Sequence, residues 1–255
     1  MPATSRTVNF VAPINRDTIC INLKAAAVFA GLSLVEDYAL NATSDRSLVL
    51  RFIYPGSPAI FLEIKVTNAR AISSRLYKDW NSSTHVGSNI AIAYSPTVVL
   101  FISGAVQIIA INHAEAKLLL ITQRTVFQVC GVMRPLTKPS WWIEADYAFC
   151  FFPNTSFTAF APFLPNSNNP YISSNSYGLL YTSALNANAP ITNSPDVIKG
   201  GAIITSPNGT GISGVFSEEF AICAGTGKSR GDMIGDFLLL NPAISGLAIA
   251  SNVPN

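Results

Sequence analysis

The chain has 255 residues and a formal net charge of +2, with 12% of residues charged and 49% apolar. A balance this close to neutral, without a basic run, gives no electrostatic basis for binding nucleic acid or an anionic membrane. The length allows one large β domain or two small ones, held together without a disulfide or metal.

The low charge content carries a positive expectation as well. Soluble domains usually devote about 25% of their residues to charge, and protein interfaces are depleted in Lys, Glu and Asp. The composition therefore predicts a subunit that covers much of its surface with partners. The alternative is a secreted protein with an Asn/Ser/Thr surface.

In chain order, Met1-Pro2-Ala3-Thr4-Ser5-Arg6 leads into mixed sequence with no apolar h-region, so no signal peptide is expected. Residues 23–30 (LKAAAVFA) have high helix propensity and stop at Gly31, a good residue to follow a helix. Next comes a hairpin. Leu48, Leu50, Phe52 and Tyr54 alternate with Val49, Arg51 and Ile53; past Pro55-Gly56-Ser57-Pro58, Ile60, Leu62, Ile64 and Val66 alternate with Phe61, Glu63 and Lys65. Folding about 56–58 sets Leu50 opposite Ile64, Phe52 opposite Leu62 and Arg51 opposite Glu63. That register satisfies an apolar face and a charge pair together. Ile72, Leu76 and Trp80 stand four apart, which predicts a short amphipathic helix over 71–80.

The most apolar stretch, 90–111, contains Ser95, Pro96, Ser103, Gly104 and Gln107 and is rich in β-branched residues, so it reads as strands rather than a membrane helix. Strands are expected at 90–94, 98–102, 106–111, 117–122 and 126–132, forming an antiparallel meander. Runs apolar on both faces imply a sheet covered on both sides. From 153 to 199 the sequence is rich in Asn, Ser and Pro, yet it holds Phe157, Phe160, Phe163, Tyr171, Tyr177 and Tyr181. Disordered linkers are poor in aromatics, so this segment is expected to be an ordered arm that contacts another subunit. Strands return at 202–205, 215–223, 237–240 and 247–250. The organisation expected is a β-rich domain at 1–153, an extended arm or loop at 154–199, and C-terminal strands at 200–255 packing on the same domain. The fold class is mainly β: antiparallel sandwich or barrel-like sheets, one or two short helices and a long ordered loop.

Sites of chemistry are hard to find. Gly225-Thr226-Gly227-Lys228-Ser229 resembles a phosphate-binding loop, but Ile222 occupies the position where that motif needs glycine, and Arg230-Gly231-Asp232 and Gly235 follow where a helix should begin. A turn between strands is expected there, with no nucleotide or other cofactor. Arg230-Gly231-Asp232 also spells an adhesion tripeptide, but Gly-Asp is ordinary turn chemistry. His85 and His113, the two histidines, lack ligands at metal spacing and are expected in exposed loops. Glu36 and Asp37 are adjacent, as are Glu218 and Glu219; in a strand, neighbours face opposite ways, so neither makes a catalytic pair. Asp146 stands apart from both. Cys20, Cys130, Cys150 and Cys223 lie far apart in apolar contexts, which favours buried free thiols, with two disulfides as the alternative. The sequons at Asn41, Asn81, Asn154 and Asn208 reflect the abundance of Asn, Ser and Thr. Trp141 and Trp142 could anchor an interface, stack on a sugar ring or plug a domain edge.

Two blocks carry a resemblance. "LLLITQRTVFQVCGVMRP" runs into "PSWWIEADYAFCFF", and "GTGISGVFSEEFAICAGTGKSRGDMIGDFLLLNP" closes the chain with a Gly-rich turn, a strand, a Gly-Asp turn and a further strand. Together they resemble virion structural proteins of tailed bacteriophages, over about half the chain. The resemblance implies a non-enzymatic tail, baseplate or neck component, assembled in the host cytoplasm with copies of itself and other virion proteins. It brings no functional residues. The rival expectation is a carbohydrate-binding or adhesive β module using Trp141, Trp142 and loop tyrosines. A hydrolase with a carboxylate pair is a third.

Overall fold

The computed structural model describes residues 4–53, 59–90, 98–114, 116–124, 126–133, 148–152, 159–162, 197–199, 203–205, 212–215, 220–224, 232–234, 237–239 and 245–250. The fold is mainly β, and its curled antiparallel sheets form a half-barrel.

One helix, α1 (Arg16–Phe29), is present among the described residues. It starts earlier than propensity predicts because Asn15 caps it: the Asn15 side chain accepts from the Thr18 backbone N–H at 2.9 Å, and the Thr18 hydroxyl oxygen accepts from the Asn15 N–H at 3.1 Å. This reciprocal pair satisfies two otherwise orphaned donors. The helix ends at Ala30, and Gly31 follows with a φ of 79°, as its sequence position predicted.

The first sheet runs β1 (Thr4–Phe10), β8 (Val106–His113), β9 (Ala116–Gln123), β10 (Val126–Met133), β11 (Ala148–Phe152) and β12 (Ala159–Pro162), every pair antiparallel. The β8–β10 part is the expected meander. Residues 108–111 and 118–121 are buried on both faces, so this sheet is covered on both sides there. His113, expected in an exposed loop, instead ends β8 opposite Ala116 and is buried. The strand outcompetes the turn because Ala116 extends the ladder.

The second sheet runs β2 (Ser33–Ala39), β3 (Arg46–Phe52), β4 (Ile60–Val66), β5 (Ala71–Asn81) and β6 (Val86–Ile90), with β7 (Val98–Val99) pairing with the start of β5. The expected β3–β4 hairpin forms, with a different register. Phe52 faces Ile60, Leu50 faces Leu62 and Leu48 faces Ile64; Arg51 faces Phe61, and Glu63 faces Val49. The pairing is shifted by two residues from the one predicted. A two-residue shift keeps every side chain on its face, so the apolar alternation cannot distinguish the two registers. The burial of Glu63 decides between them, because its partners are Ser47 and Tyr77 rather than Arg51. The turn residues Tyr54 to Pro58 lie outside the described set.

The helix predicted over 71–80 is also wrong, since these residues form β5. Ile72 and Leu76 are four apart, and four is a multiple of the strand period of two, so they share a face in either geometry. Pairing with β4 from Val66↔Ile72 to Phe61↔Tyr77 settles the matter in favour of strand.

The C-terminal strands are β13 (Val197–Lys199), β16 (Phe220–Ala224), β19 (Ser245–Ala250), β18 (Phe237–Leu239) and β17 (Met233–Ile234), in that sheet order, with β14 (Ile203–Thr205) and β15 (Ile212–Val215) pairing separately. The single strand predicted over 215–223 is thus two strands, β15 and β16, in different sheets.

The core lies around α1. Ile19, Cys20, Leu23, Ala26 and Ala27 form one cluster with Leu48, Leu50, Leu62 and Ile64 of the second sheet and with Ile108, Ala110 and Leu118 of the first. Each large aliphatic side chain buried there contributes about 1.5–3 kcal/mol. Cys20 and Cys130 are buried free thiols, and burial pushes both up to about 12, so they remain protonated and inert.

Charge fixes the helix to β2 and β3. Arg46 grips Asp37 with two bonds, Nε to Oδ1 at 2.7 Å and Nη2 to Oδ2 at 2.9 Å, and reaches Asp17 on α1 at 2.8 Å. Lys24 of α1 also reaches Asp37, at 3.1 Å. The hydrogen bonds from Arg46 hold Asp37 below its usual carboxylate range. A carboxylate with a depressed native pKa contributes stability above its unfolded pKa, and the contribution disappears as pH falls through the native value. Asp37→Asn should therefore cost about 1.5–3 kcal/mol at neutral pH. The gap between variant and wild type should begin to narrow below about pH 4 and keep shrinking as pH falls further. Urea unfolding at pH 7 and at pH 3 checks this, and a gap of equal size at both would contradict it.

Candidate functional site

The face of the second sheet turned away from α1 carries the most concentrated chemistry among the described residues. Cross-strand partners share a face. Tyr38 and Ser47 therefore project together, as do Glu36, Val49, Glu63 and Arg75, and next Arg51, Phe61 and Tyr77. An irregularity in the β2–β3 register between Leu34 and Glu36 places Glu36 in this set. Such bulges re-aim side chains.

At the centre is Glu63, 2% exposed and flanked in sequence by Phe61, Leu62, Ile64 and Val66. A buried carboxylate is tolerated only when hydrogen-bonded. The Ser47 hydroxyl donates to Oε1 at 2.8 Å and the Tyr77 hydroxyl to Oε2 at 2.8 Å. Burial, followed by the adjacent Glu63 charge, pushes Tyr77 up to about 12, so its proton stays in place to donate. Arg75 lies over the Tyr77 ring, 5.7 Å from its centroid.

The second carboxylate is Glu36, whose side chain is 13% exposed. Trp80 Nε1 donates to its Oε2 at 2.7 Å. His85 Nδ1 approaches Oε1 to 2.6 Å, close in distance but off-axis for a hydrogen bond. The His85 ring stacks on Tyr38 at 4.3 Å and 14°, Tyr38 tilts against Trp80 at 6.3 Å, and Trp80 meets Tyr77 edge-on at 5.5 Å. Four aromatic rings therefore make a continuous run from Glu63 to Glu36. Burial raises the Tyr38 phenol above its ordinary value. Gly87 of β6 permits the arrangement: a Cβ there would come within 2.2 Å of the Tyr77 ring.

Chemically, this is a set of two carboxylates whose four oxygens all face side chains of the chain itself. It organises the sheet and leaves no carboxylate oxygen without a protein neighbour. As strand alternation predicts, Asp37 points away from Glu36, into the Arg46 network.

The residues expected to make partner contacts fall almost wholly elsewhere. Phe160 sits in β12, opposite Cys150. Trp141, Trp142, Phe157, Phe163, Tyr171, Tyr177 and Tyr181 lie outside the described residues, as do residues 225–231 and the pair Glu218 and Glu219. Sequence reasoning gave Glu63 to Arg51 and Trp80 to a helix, and it passed over Tyr77, Tyr38 and the contact between His85 and Glu36. One signal was available: a lone acid inside the apolar run IFLEIKV must either leave the strand or find buried donors.

No protein-family model matches the chain, and no curated protein matches it.

Proposed function

We propose that the chain is a non-enzymatic structural subunit of a tailed-phage particle, assembling with copies of itself and with neighbouring virion proteins. The observation that carries this reading is a rigidly held apolar tip. Val99, Phe101 and Ile102 are 51%, 42% and 65% exposed, with the buried Leu100 between the first two. The buried Gln123 fixes the backbone of this tip at Phe101, Ser103 and Gly104. Its Oε1 accepts from the Phe101 N–H at 2.6 Å, and its Nε2 donates to the carbonyls of Phe101, Ser103 and Gly104 at 3.2–3.3 Å. The Arg124 guanidinium lies over the Phe101 ring at 5.1 Å. A buried amide that holds an apolar tip outward preorganises it for a partner, which lowers the entropic cost of association. The chain-wide scarcity of charge points the same way.

The reading is tested in particles and in solution. Mass spectrometry of purified virions should detect the chain at stoichiometric level. The double variant Phe101→Ser, Ile102→Ser should fold normally and fail to be incorporated. Deleting residues 163–190, past β12, should likewise leave the β core folded and abolish assembly. Absence of the chain from virions, or normal incorporation of both variants, rejects the proposal.

A further inference from the structure

The β5–β6 hairpin is longer than the sheet that supports it. β4 pairs with β5 only as far as Phe61↔Tyr77, whereas β5 runs on to Asn81 and is accompanied by β6 through Asp79↔Ser88, Trp80↔Gly87 and Asn81↔Val86. Among the described residues, 78–88 therefore project past the last β4 pair as a two-stranded tip. A two-stranded ribbon is marginally stable by itself in water, so the tip needs contacts from elsewhere.

Those contacts come from the opposite edge of the sheet. Glu36 and Tyr38 belong to β2, separated from β5 in the sheet order by β3 and β4. Glu36 takes the Trp80 indole N–H and faces the His85 ring, while Tyr38 stacks on that same ring. By strict alternation Trp80 would share the face of Leu76; its contacts with Tyr77 and Glu36 show that the tip coils over onto the other face. At the turn, Asn81 Oδ1 accepts from the N–H groups of Ser83 and Thr84 at 2.9 and 3.3 Å, and His85 adopts a φ of 55°. A non-glycine residue enters that left-handed region at a cost, and side-chain contacts of His85 offset it.

We propose that residues 78–88 form a latched flap, closed by Glu36 and opening as a unit away from the Tyr77 ring. Closed, it joins the two edges of the curled sheet. Open, it uncovers the Tyr77 ring, against which Trp80 and Gly87 pack, and frees the Glu36 carboxylate and the Tyr38 ring, a surface that the closed state hides. The flap is a conformational device independent of the assembly role, because its parts and the Phe101–Ile102 tip share no residue.

Hydrogen–deuterium exchange of the full chain, followed by peptide, tests the latch. Amide exchange reports local opening separately from global unfolding. Glu36→Ala should speed exchange across 78–88 by at least tenfold and leave 106–123 unchanged. Trp80→Phe, which keeps an aromatic ring but removes the donor, should speed the same amides to a smaller extent. If Glu36→Ala leaves 78–88 as protected as in the wild type, Glu36 is no latch and the proposal fails. Equal acceleration in 106–123 also overturns it, because the change would then be a global loss of stability.

Discussion

Replacing Gly131 with alanine should lower the melting temperature by about 10 °C, the largest effect expected from adding one methyl group at a described glycine. Gly131 lies within β10, paired with Leu118 of β9 on one side and Cys150 of β11 on the other. Its φ is 152°, and a Cβ built there would stand 2.1 Å from the Lys117 carbonyl oxygen and 2.9 Å from the Leu118 Cα. Both are backbone atoms of the neighbouring strand, so no side-chain rotation relieves the clash. The strands must separate, or β10 must rotate away from its ladder. Either change disturbs a sheet in which Leu118, Leu119 and Cys130 are fully buried. Overpacking typically costs about 1–3 kcal/mol, and backbone strain adds about 1–3 kcal/mol more. For a chain of this size, each kcal/mol moves the midpoint by about 2–4 °C. Thermal melts followed by circular dichroism provide the measurement. An alanine variant melting within 2 °C of wild type would show that β10 does not approach β9 in this way.

Glu63→Ala should destabilise the protein by about 3 kcal/mol, and Glu63→Gln by less. The alanine variant removes the acceptor for two buried hydroxyls, those of Ser47 and Tyr77. Leaving a buried polar group unsatisfied costs about 1–3 kcal/mol. The variant also leaves a cavity between Val49 and Arg75, which flank Glu63 in the sheet. Glutamine keeps one acceptor and nearly the same volume, so it preserves part of the network. Tyr77→Phe should fall between wild type and Glu63→Ala, since one donor is lost and the ring still covers Gly87. Chemical denaturation of the three variants gives the order. Were Glu63→Ala as stable as wild type, the carboxylate would not be holding this face together.

The sequence by itself determined the β character, the β8–β10 meander, the end of α1 at Gly31 and the position of the β3–β4 hairpin. Each rests on a local signal: alternation with period two, or a glycine able to take positive φ just past a helix. It left the hairpin register open, because alternation is blind to a shift of two residues and the Arg51–Glu63 match was a coincidence of spacing. It misread 71–80, because residues four apart share a face in both helix and strand, and only the ladder with β4 separates the two. The polar cluster was out of reach for a related reason. Glu36, Glu63 and Trp80 come from β2, β4 and β5, and their meeting depends on the curl of the sheet and the overhang of a hairpin. Those properties follow from how strands of unequal length pair and twist together, and a residue's neighbours along the chain do not encode them.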